Sequence, residues 1–177
     1  MRTLCGQVIA LIFISGIAFS AFSADVKVHI NSSVVMESCD VDSDSKNINV
    51  NIGDFLSHTF PNIGSVSPKK EFDINLKGCS GAIQGATVTF TGNSDHIDHD
   101  LLSLSDASGQ GGMASGVGVQ ILERDGTTML PLGKPSTMQS LQPGNNTLKF
   151  YLRYKSTEAT VSEGNASAVM YFDLKYK

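Results

Sequence analysis

The chain has 177 residues and a formal net charge of −4, which is enough for one domain with a hydrophobic core and does not imply a second. Its balance of 13 basic against 17 acidic residues provides no positive surface for nucleic acid. Beyond the first 23 residues the hydropathy suggests no membrane span.

The first 23 residues have the layout of a secretory signal peptide. A positive charge at Arg2 precedes an apolar run of twelve residues from Val8 to Phe19, and small residues stand at positions 21 and 23, as such a signal requires. A retained membrane anchor is the alternative, but it needs about 18 to 20 apolar residues. We expect cleavage after Ser23, which leaves 154 residues beginning at Ala24 and a net charge of −5 because Arg2 is lost.

The segment after the expected cleavage site alternates between apolar and polar side chains. Val26, Val28 and Ile30 face one way and the polar residues between them face the other, a pattern typical of a β-strand with one buried face. A strand at the start of a mature chain frays unless something holds it. This strand therefore needs a sheet partner.

Two cysteines remain after the signal peptide, Cys39 and Cys79. An even pair in an exported chain is most simply a disulfide. Closing a loop of about 40 residues stabilises a fold by on the order of 4 kcal/mol in the chain-entropy model. Free or zinc-bound thiols are the alternative, but the close paired spacing that zinc requires is missing.

Short alternating runs separated by Gly, Pro, Asn and Asp follow along the rest of the chain. We predict one strand for each of these sets: Ile48, Val50 and Ile52; Phe72, Ile74 and Leu76; Ala86, Val88 and Phe90; Val117, Val119 and Ile121; Leu148, Phe150, Leu152 and Tyr154; and Ala166, Ala168, Met170, Phe172, Leu174 and Tyr176. The pair Asp125-Gly126 predicts a tight hairpin turn. Helical spacing is limited to one turn near GDFLSH, and the longest loops are expected at 57–68 and 92–100. The sequence therefore predicts an all-β sandwich.

Two acidic stretches are weak candidates for metal binding. The run DHIDHD contributes His96, Asp98, His99 and Asp100, which are possible ligands. The run DVDSDS matches the first three ligand positions of an EF-hand loop, but it lacks that loop's glycine and final glutamate. We interpret both as polar loops and expect no metal or cofactor. No nucleophile elbow or phosphate-binding loop is present, so the sequence predicts neither an enzyme nor a small-molecule substrate.

The two ends of the chain, read together, resemble a known family. The expected mature start ADVKVHINSSV, the spacing of Cys39 and Cys79, and the segments FPNIG, ATVTFTG, SGVGVQIL, LQPG, TLKFYLRY and FDLKY occur in the family's order. Gly164 is the fourteenth residue from the C-terminus and Tyr176 is the penultimate one. The sequence resembles the pilin subunits of the chaperone-usher pathway, most closely the minor tip-fibrillum subunit of type 1 fimbriae.

The resemblance implies an incomplete immunoglobulin-like β-sandwich, residues 36–177, that lacks its final strand. Residues 24–35 would be a donor strand that enters the groove of a neighbouring subunit. Its pocket-facing residues would be Val26, Val28, Ile30, Ser32 and Val34. The residues implied for this chain's own acceptor groove and for chaperone recognition are Gly164, Ala168, Met170, Phe172, Leu174 and Tyr176.

The partners implied by the resemblance are a periplasmic chaperone, an outer-membrane usher and neighbouring subunits, on a route through the periplasm to a surface fimbrium that supports adhesion. One residue departs from the family pattern, because Ser32 stands where glycine is frequent. An adhesin that binds a carbohydrate or host receptor is the alternative, although such adhesins resemble a two-domain chain with a binding domain first. A stand-alone secreted β-sandwich enzyme is the third interpretation.

Overall fold

The computed structural model describes residues 38–106 and 112–177, so the expected signal peptide and the expected donor strand lie outside the described residues. The strands are β1 Asp40–Val41, β2 Lys70–Cys79, β3 Gly85–Gly92, β4 Val117–Leu122, β5 Gln139–Ser140, β6 Gly144–Ser156 and β7 Met170–Tyr176. Two short 3₁₀ turns, Ser43–Ser45 and Ser57–Thr59, are the helical segments of this part of the chain. Within it, no helix is long and apolar enough to cross a membrane.

The seven strands form two antiparallel sheets. One sheet has the order β1-β2-β6-β4 and the other has the order β5-β3-β7. Because neighbours in the sheets are distant in sequence, the connections cross between the sheets, as in immunoglobulin-like sandwiches. The prediction of an all-β sandwich is confirmed.

Three phenylalanines join the two sheets at the centre of the core. Phe72 of β2 and Phe150 of β6 come from the four-stranded sheet, and Phe90 of β3 comes from the other. The Phe90 ring centroid lies 5.9 Å from that of Phe72 and 5.0 Å from that of Phe150, with both pairs edge to face. This is a favoured arrangement of aromatic rings. The alternating apolar residues predicted for these strands therefore build one shared core.

The expected disulfide joins Cys39, just before β1, to Cys79 at the end of β2. Next to it, β1 pairs with β2 through Val41 opposite Leu76. The register of β2 against β6 shifts between Leu76 and Cys79, and Gly78 lies there with φ +61°. A glycine with positive φ is the usual residue of such a bulge. The predicted cysteine pairing is confirmed.

One predicted strand is absent and another is shorter than predicted. The run of Ile48, Val50 and Ile52 is not assigned to a strand, and the run from Ala166 is a strand only over Met170–Tyr176. Val50 and Ile52 nevertheless stay half-buried while the residues between and around them are exposed. The side-chain alternation therefore survives, but a sheet partner that would complete a strand is missing among the described residues.

The Asp125-Gly126 turn forms with a different residue arrangement from the predicted two-residue hairpin. The Gly126 amide donates to the Glu123 carbonyl at 2.8 Å, so Arg124 and Asp125 are the central residues and Gly126 follows with φ +65°. The Asp125 carboxylate accepts hydrogen bonds from the Thr128 hydroxyl and from nearby amides. These bonds hold the pKa of Asp125 below its usual range. Side-chain capping by aspartate, rather than the glycine alone, stabilises this turn.

Candidate functional site

Among the described residues, the outer edge of β7 has no partner and is an open sheet edge. Gly85 and Lys177 exchange both main-chain hydrogen bonds, at 3.1 and 2.9 Å, and the register of β3 against β7 continues from that pair to Gly92 opposite Met170. Hydrogen-bonded and non-hydrogen-bonded pairs alternate along an antiparallel ladder. The N–H and C=O groups of Met170, Phe172, Leu174 and Tyr176 therefore point away from β3. No other described strand pairs with this edge.

The same four residues direct their side chains toward the core, but the core does not cover them. In β3 the inward residues Ala86, Val88 and Phe90 are at most 1% exposed. All inward residues of β7 are only half-buried, and so are Ala166 and Ala168 upstream. An edge strand with an uncovered apolar face is a site for pairing with another strand.

A second wall of apolar residues borders the uncovered core. Val50, Ile52 and Phe55 are half-buried and pack against the same core cluster as the β7 residues. Among the described residues, no main-chain hydrogen bond reaches positions 47–55, although the Gly53 amide is bonded to the Asn51 side chain at 2.9 Å. We call the space between these residues and β7 the groove.

Two tyrosine hydroxyls donate to main-chain carbonyls near the two ends of the groove. The Tyr176 hydroxyl donates to the Cys39 carbonyl at 3.1 Å. The Tyr154 hydroxyl, from the opposite sheet, donates to the Ala166 carbonyl at 2.5 Å, and its ring lies edge to face with Phe55, with 6.1 Å between centroids. Burial raises the pKa of both tyrosines above the ordinary value. Both hydroxyls therefore stay protonated and able to donate at neutral pH.

The outer edges of β3 and β4 are occupied, unlike that of β7. On the far side of β3, Val88 accepts from the Ser136 amide at 2.8 Å and Phe90 accepts from the Gly133 amide at 2.8 Å. On the far side of β4, Val119 exchanges hydrogen bonds with Leu102 at 2.9 and 3.0 Å. Proteins protect edges in this way against unwanted pairing. Within the described part of the chain, β7 therefore differs from β3 and β4 in having no partner along its whole outer edge.

Gly164 lies just upstream of the groove, at a close approach of two chain segments. A Cβ atom built there would lie 2.4 Å from the Ala114 nitrogen and 2.4 Å from the Gly112 oxygen. The neighbouring Asn165 amide donates to Gly112 at 2.7 Å, and its carbonyl accepts from Ala114 at 2.9 Å. Only glycine lets these main chains approach so closely.

The two acidic stretches occupy the places expected of polar loops. Asp95 is buried and accepts from the amides of Ile97 and Asp98 at 2.9 and 3.0 Å, so it holds the loop together. Asp42 caps the first 3₁₀ turn and lies 2.6 Å from the Lys77 ammonium. Within residues 38–106 and 112–177, no three His, Cys, Asp or Glu side chains are grouped so as to hold a metal ion.

The comparisons with known proteins agree with this geometry. The model of the family described as Fimbrial protein matches residues 28–177. The fimbrial-like protein YcbU of Escherichia coli is 43% identical over 152 residues, which cover 86% of this chain and 84% of YcbU. The S-fimbrial protein subunit SfaG of another Escherichia coli strain is 35% identical over 150 residues, which cover 85% of this chain and 82% of SfaG. The chain belongs to the fimbrial protein family.

The solved structures support the same assignment for the fold. A type I fimbria protein of Burkholderia pseudomallei is 33% identical and superimposes with a TM-score of 0.60, over 78% of this chain and 88% of its own. The chain is thus a fimbrial subunit with an immunoglobulin-like pilin fold. Since its relatives are fimbrial subunits, its role is structural and not enzymatic, and its place is in surface fimbriae assembled with other subunits.

The structure brings together part of the predicted site of this fimbrial subunit. Met170, Phe172, Leu174 and Tyr176 share the uncovered face of β7, and Ala168, two residues before this strand, packs against the same core. Gly164 lies outside that face, against residues 112–114. The predicted donor residues Val26 to Val34 lie outside the described residues.

Sequence reasoning missed two residues of the groove. Phe55 was included only in a possible helical turn, and Tyr154 was assigned to an ordinary core strand. Tyr154 is indeed buried, with 8% of its surface exposed, but its hydroxyl reaches the β7 side of the groove. A buried tyrosine needs a hydrogen-bond partner, and that requirement is the signal that could have found it.

Proposed function

We propose that this fimbrial subunit is a minor or adaptor pilin that polymerises by strand exchange. It accepts a strand from a neighbour in the groove and donates residues 24–35 to another neighbour. The observation that carries the proposal is the open edge of β7, where unpaired main-chain groups and half-buried side chains belong to the same residues. An added strand would satisfy both, since strand addition gains main-chain hydrogen bonds and places alternate side chains in pockets.

The expected strength of this interaction is comparable to the stability of a whole domain. Val26, Val28, Ile30 and Val34 are the apolar donor residues, and burying each contributes roughly 1.5 to 3 kcal/mol. The total is on the order of 6 to 12 kcal/mol before the cost of ordering the strand. Domains are stable by about 5 to 15 kcal/mol. A subunit without a donor strand should therefore be only marginally stable.

A periplasmic chaperone would cover the same edge before assembly, and an outer-membrane usher would be where the exchange takes place. The alternating residues Met170, Phe172, Leu174 and Tyr176 would pair with the chaperone strand. Tyr176 contributes through its ring, since its hydroxyl already bonds to Cys39. The contribution of Gly164 would be indirect, because it sets the path of the chain that enters β7.

In this proposal, Ser32 determines which neighbouring subunit can receive the donor strand. A serine in a donor position that frequently holds glycine needs a pocket with room for a hydroxymethyl group. We infer that the receiving groove belongs to a neighbour with such space, and that exchange into a tighter groove is slower.

The donor role is tested by deleting residues 24–35 and purifying the subunit with its matching chaperone. The truncated subunit should still bind the chaperone, because β7 is intact. It should fail to be incorporated ahead of another subunit, and a synthetic peptide of residues 24–35 should occupy the groove of a neighbour. Normal polymerisation of the truncated subunit would contradict the donor assignment.

A pair of single substitutions gives a sharper version of the same test. Ile30→Asp places a charge on the pocket-facing side of the donor strand, whereas His29→Asp places one on the opposite side. Burying an unpaired carboxylate is very costly, so assembly should be blocked only by Ile30→Asp. Equal assembly by both variants, measured by fibre length, would exclude the proposed register.

A further inference from the structure

The groove is closed at its upstream end by a side chain from the opposite sheet. Tyr154 donates its hydroxyl to the Ala166 carbonyl at 2.5 Å. The residue is held from two sides, because its amide donates to the buried Ser67 hydroxyl at 3.0 Å and its ring packs against Phe55. The hydrogen bond is therefore a fixed feature of the groove.

The Ala166 carbonyl lies on the side of the chain that an incoming strand would use. The amide and carbonyl of Asn165 bond to Gly112 and Ala114, and the Ser167 carbonyl accepts from the Ser105 amide at 2.7 Å. In an extended chain, successive residues point their main-chain groups to opposite sides. Ala166 and Ala168 therefore continue the open edge of β7. The Tyr154 hydroxyl is hydrogen-bonded to the Ala166 carbonyl, which lies at the upstream end of this edge.

The proposed donor strand is longer than β7 and extends beyond it. β7 has seven residues, about 23 Å at the usual rise per residue, and four of them point inward. The donor segment 24–35 has twelve residues, about 40 Å when extended, and five pocket-facing positions. Four positions can match the inward residues of β7, and a strand whose fifth position lies at the upstream end of β7 reaches Ala166 and Ala168.

We propose that the Tyr154 hydroxyl determines which donor strands the groove accepts over their full length. The hydroxyl keeps the upstream end closed until an amide of the donor takes over the Ala166 carbonyl. A donor with a fifth position must displace it, whereas a shorter donor need not. The proposal rests on the proposed function, because it concerns the same groove.

The test compares the full chain with its Tyr154→Phe variant, at a concentration too low for chains to pair with each other. Phenylalanine keeps the ring against Phe55 and removes only the hydroxyl. The probes are fluorescent peptides of residues 24–35, 28–35 and 24–32. One of the two shortened peptides fails to reach Ala166, whichever direction the donor strand runs.

The full peptide should associate with Tyr154→Phe about fivefold faster than with the wild type, the factor expected for one neutral hydrogen bond. The shortened peptide that does not reach Ala166 should associate equally fast with both proteins. Tyr171→Phe is the matched control, because it removes an exposed tyrosine hydroxyl from the outward face of β7. It should leave the association rates of all three peptides unchanged.

Three results would overturn the proposal. Equal rates for the full peptide would mean that the second lone pair of the carbonyl accepts the donor without displacing the hydroxyl. The same acceleration for all three peptides would mean a general loosening of the fold, which urea unfolding of the variant measures separately. Failure of the wild type to bind any of the three peptides would mean that the groove does not take up this donor sequence at all, so the hydroxyl could not control its uptake, and that outcome is distinct from the first two.

Discussion

At the scale of single residues, Gly164 shows how the packing of two main chains excludes any side chain. The Cβ atom of an alanine there would lie 2.4 Å from three main-chain atoms of residues 112–114, and main-chain atoms cannot rotate away. Gly133 is a contrasting case, with φ +75° and no atom within 4 Å of its Cβ position. A comparison of substitutions at the two glycines therefore separates the cost of close contact from the cost of an unfavourable backbone conformation.

We predict that Gly164→Ala lowers the free energy of unfolding by about 1 to 3 kcal/mol more than Gly133→Ala, because overpacking adds that cost to backbone strain. Urea denaturation of both variants provides the measurement. Equal losses would show that residues 112–114 move aside without cost.

Residue roles were only partly predictable from the sequence. The position of Gly164, counted from the C-terminus, indicated importance, but its contact with residues 112–114 depends on a loop that sequence periodicity does not place. Tyr154 was correctly predicted to face the core. The partner of its hydroxyl could not be predicted, because Ala166 is near it only in the folded sandwich.

At the scale of strands, the Asp42–Lys77 ion pair ties the chain after β1 to β2. The hydrogen bond from Lys77 lowers the pKa of Asp42, and Asp42 in turn raises the pKa of Lys77. A lowered carboxyl pKa stabilises the fold above the unfolded value of about 4, and this stabilisation is lost as the pH falls through the folded pKa. A raised lysine pKa stabilises the fold below about 10.4, and this is lost as the pH rises further.

We therefore predict that Lys77→Gln lowers the urea midpoint between about pH 4 and pH 10, and that the difference from wild type disappears in stronger acid. Since the pair is at the surface, added salt should also reduce it. Lys134→Gln is the control, because that exposed side chain makes no ion pair with another residue of the described ranges. A difference that persists at pH 2 would point to lost packing instead.

Strand prediction succeeded wherever both the side-chain pattern and a pairing partner are present in the described chain. Phe72, Ile74 and Leu76 alternate and also pair with β6, so the prediction was right. Val50 and Ile52 alternate equally well, yet no strand forms there. Periodicity reports which face is buried, whereas a strand also needs hydrogen bonds, and in this segment the two requirements separate.

At the scale of the whole molecule, the disulfide fixes one wall of the groove to the core. It closes a loop of 40 residues that includes Val50, Ile52 and Phe55. Its Cys39 carbonyl also accepts the Tyr176 hydroxyl. The disulfide therefore constrains the unfolded chain and also holds the end of the groove in place.

We predict that the double variant Cys39→Ser, Cys79→Ser loses about 2 to 5 kcal/mol of unfolding free energy, and that it takes up the peptide of residues 24–35 more weakly. Guanidinium unfolding and peptide binding measure the two effects. Reduction of the wild-type protein is the control and should reproduce both. Unchanged peptide uptake by the variant would show that the disulfide does not influence the groove.

The last hydrogen bonds of β7 bear on how this protein can be labelled. The Lys177 carbonyl accepts from the amides of Gln84 and Gly85, at 2.6 and 3.1 Å, so a purification tag fused after Lys177 would start inside the sheet and beside its open edge. A tag before Ala24 would extend the proposed donor segment. The exposed turn at Gly133 and Lys134, where a Cβ has open space, is the better place to insert an epitope or a dye-reactive cysteine.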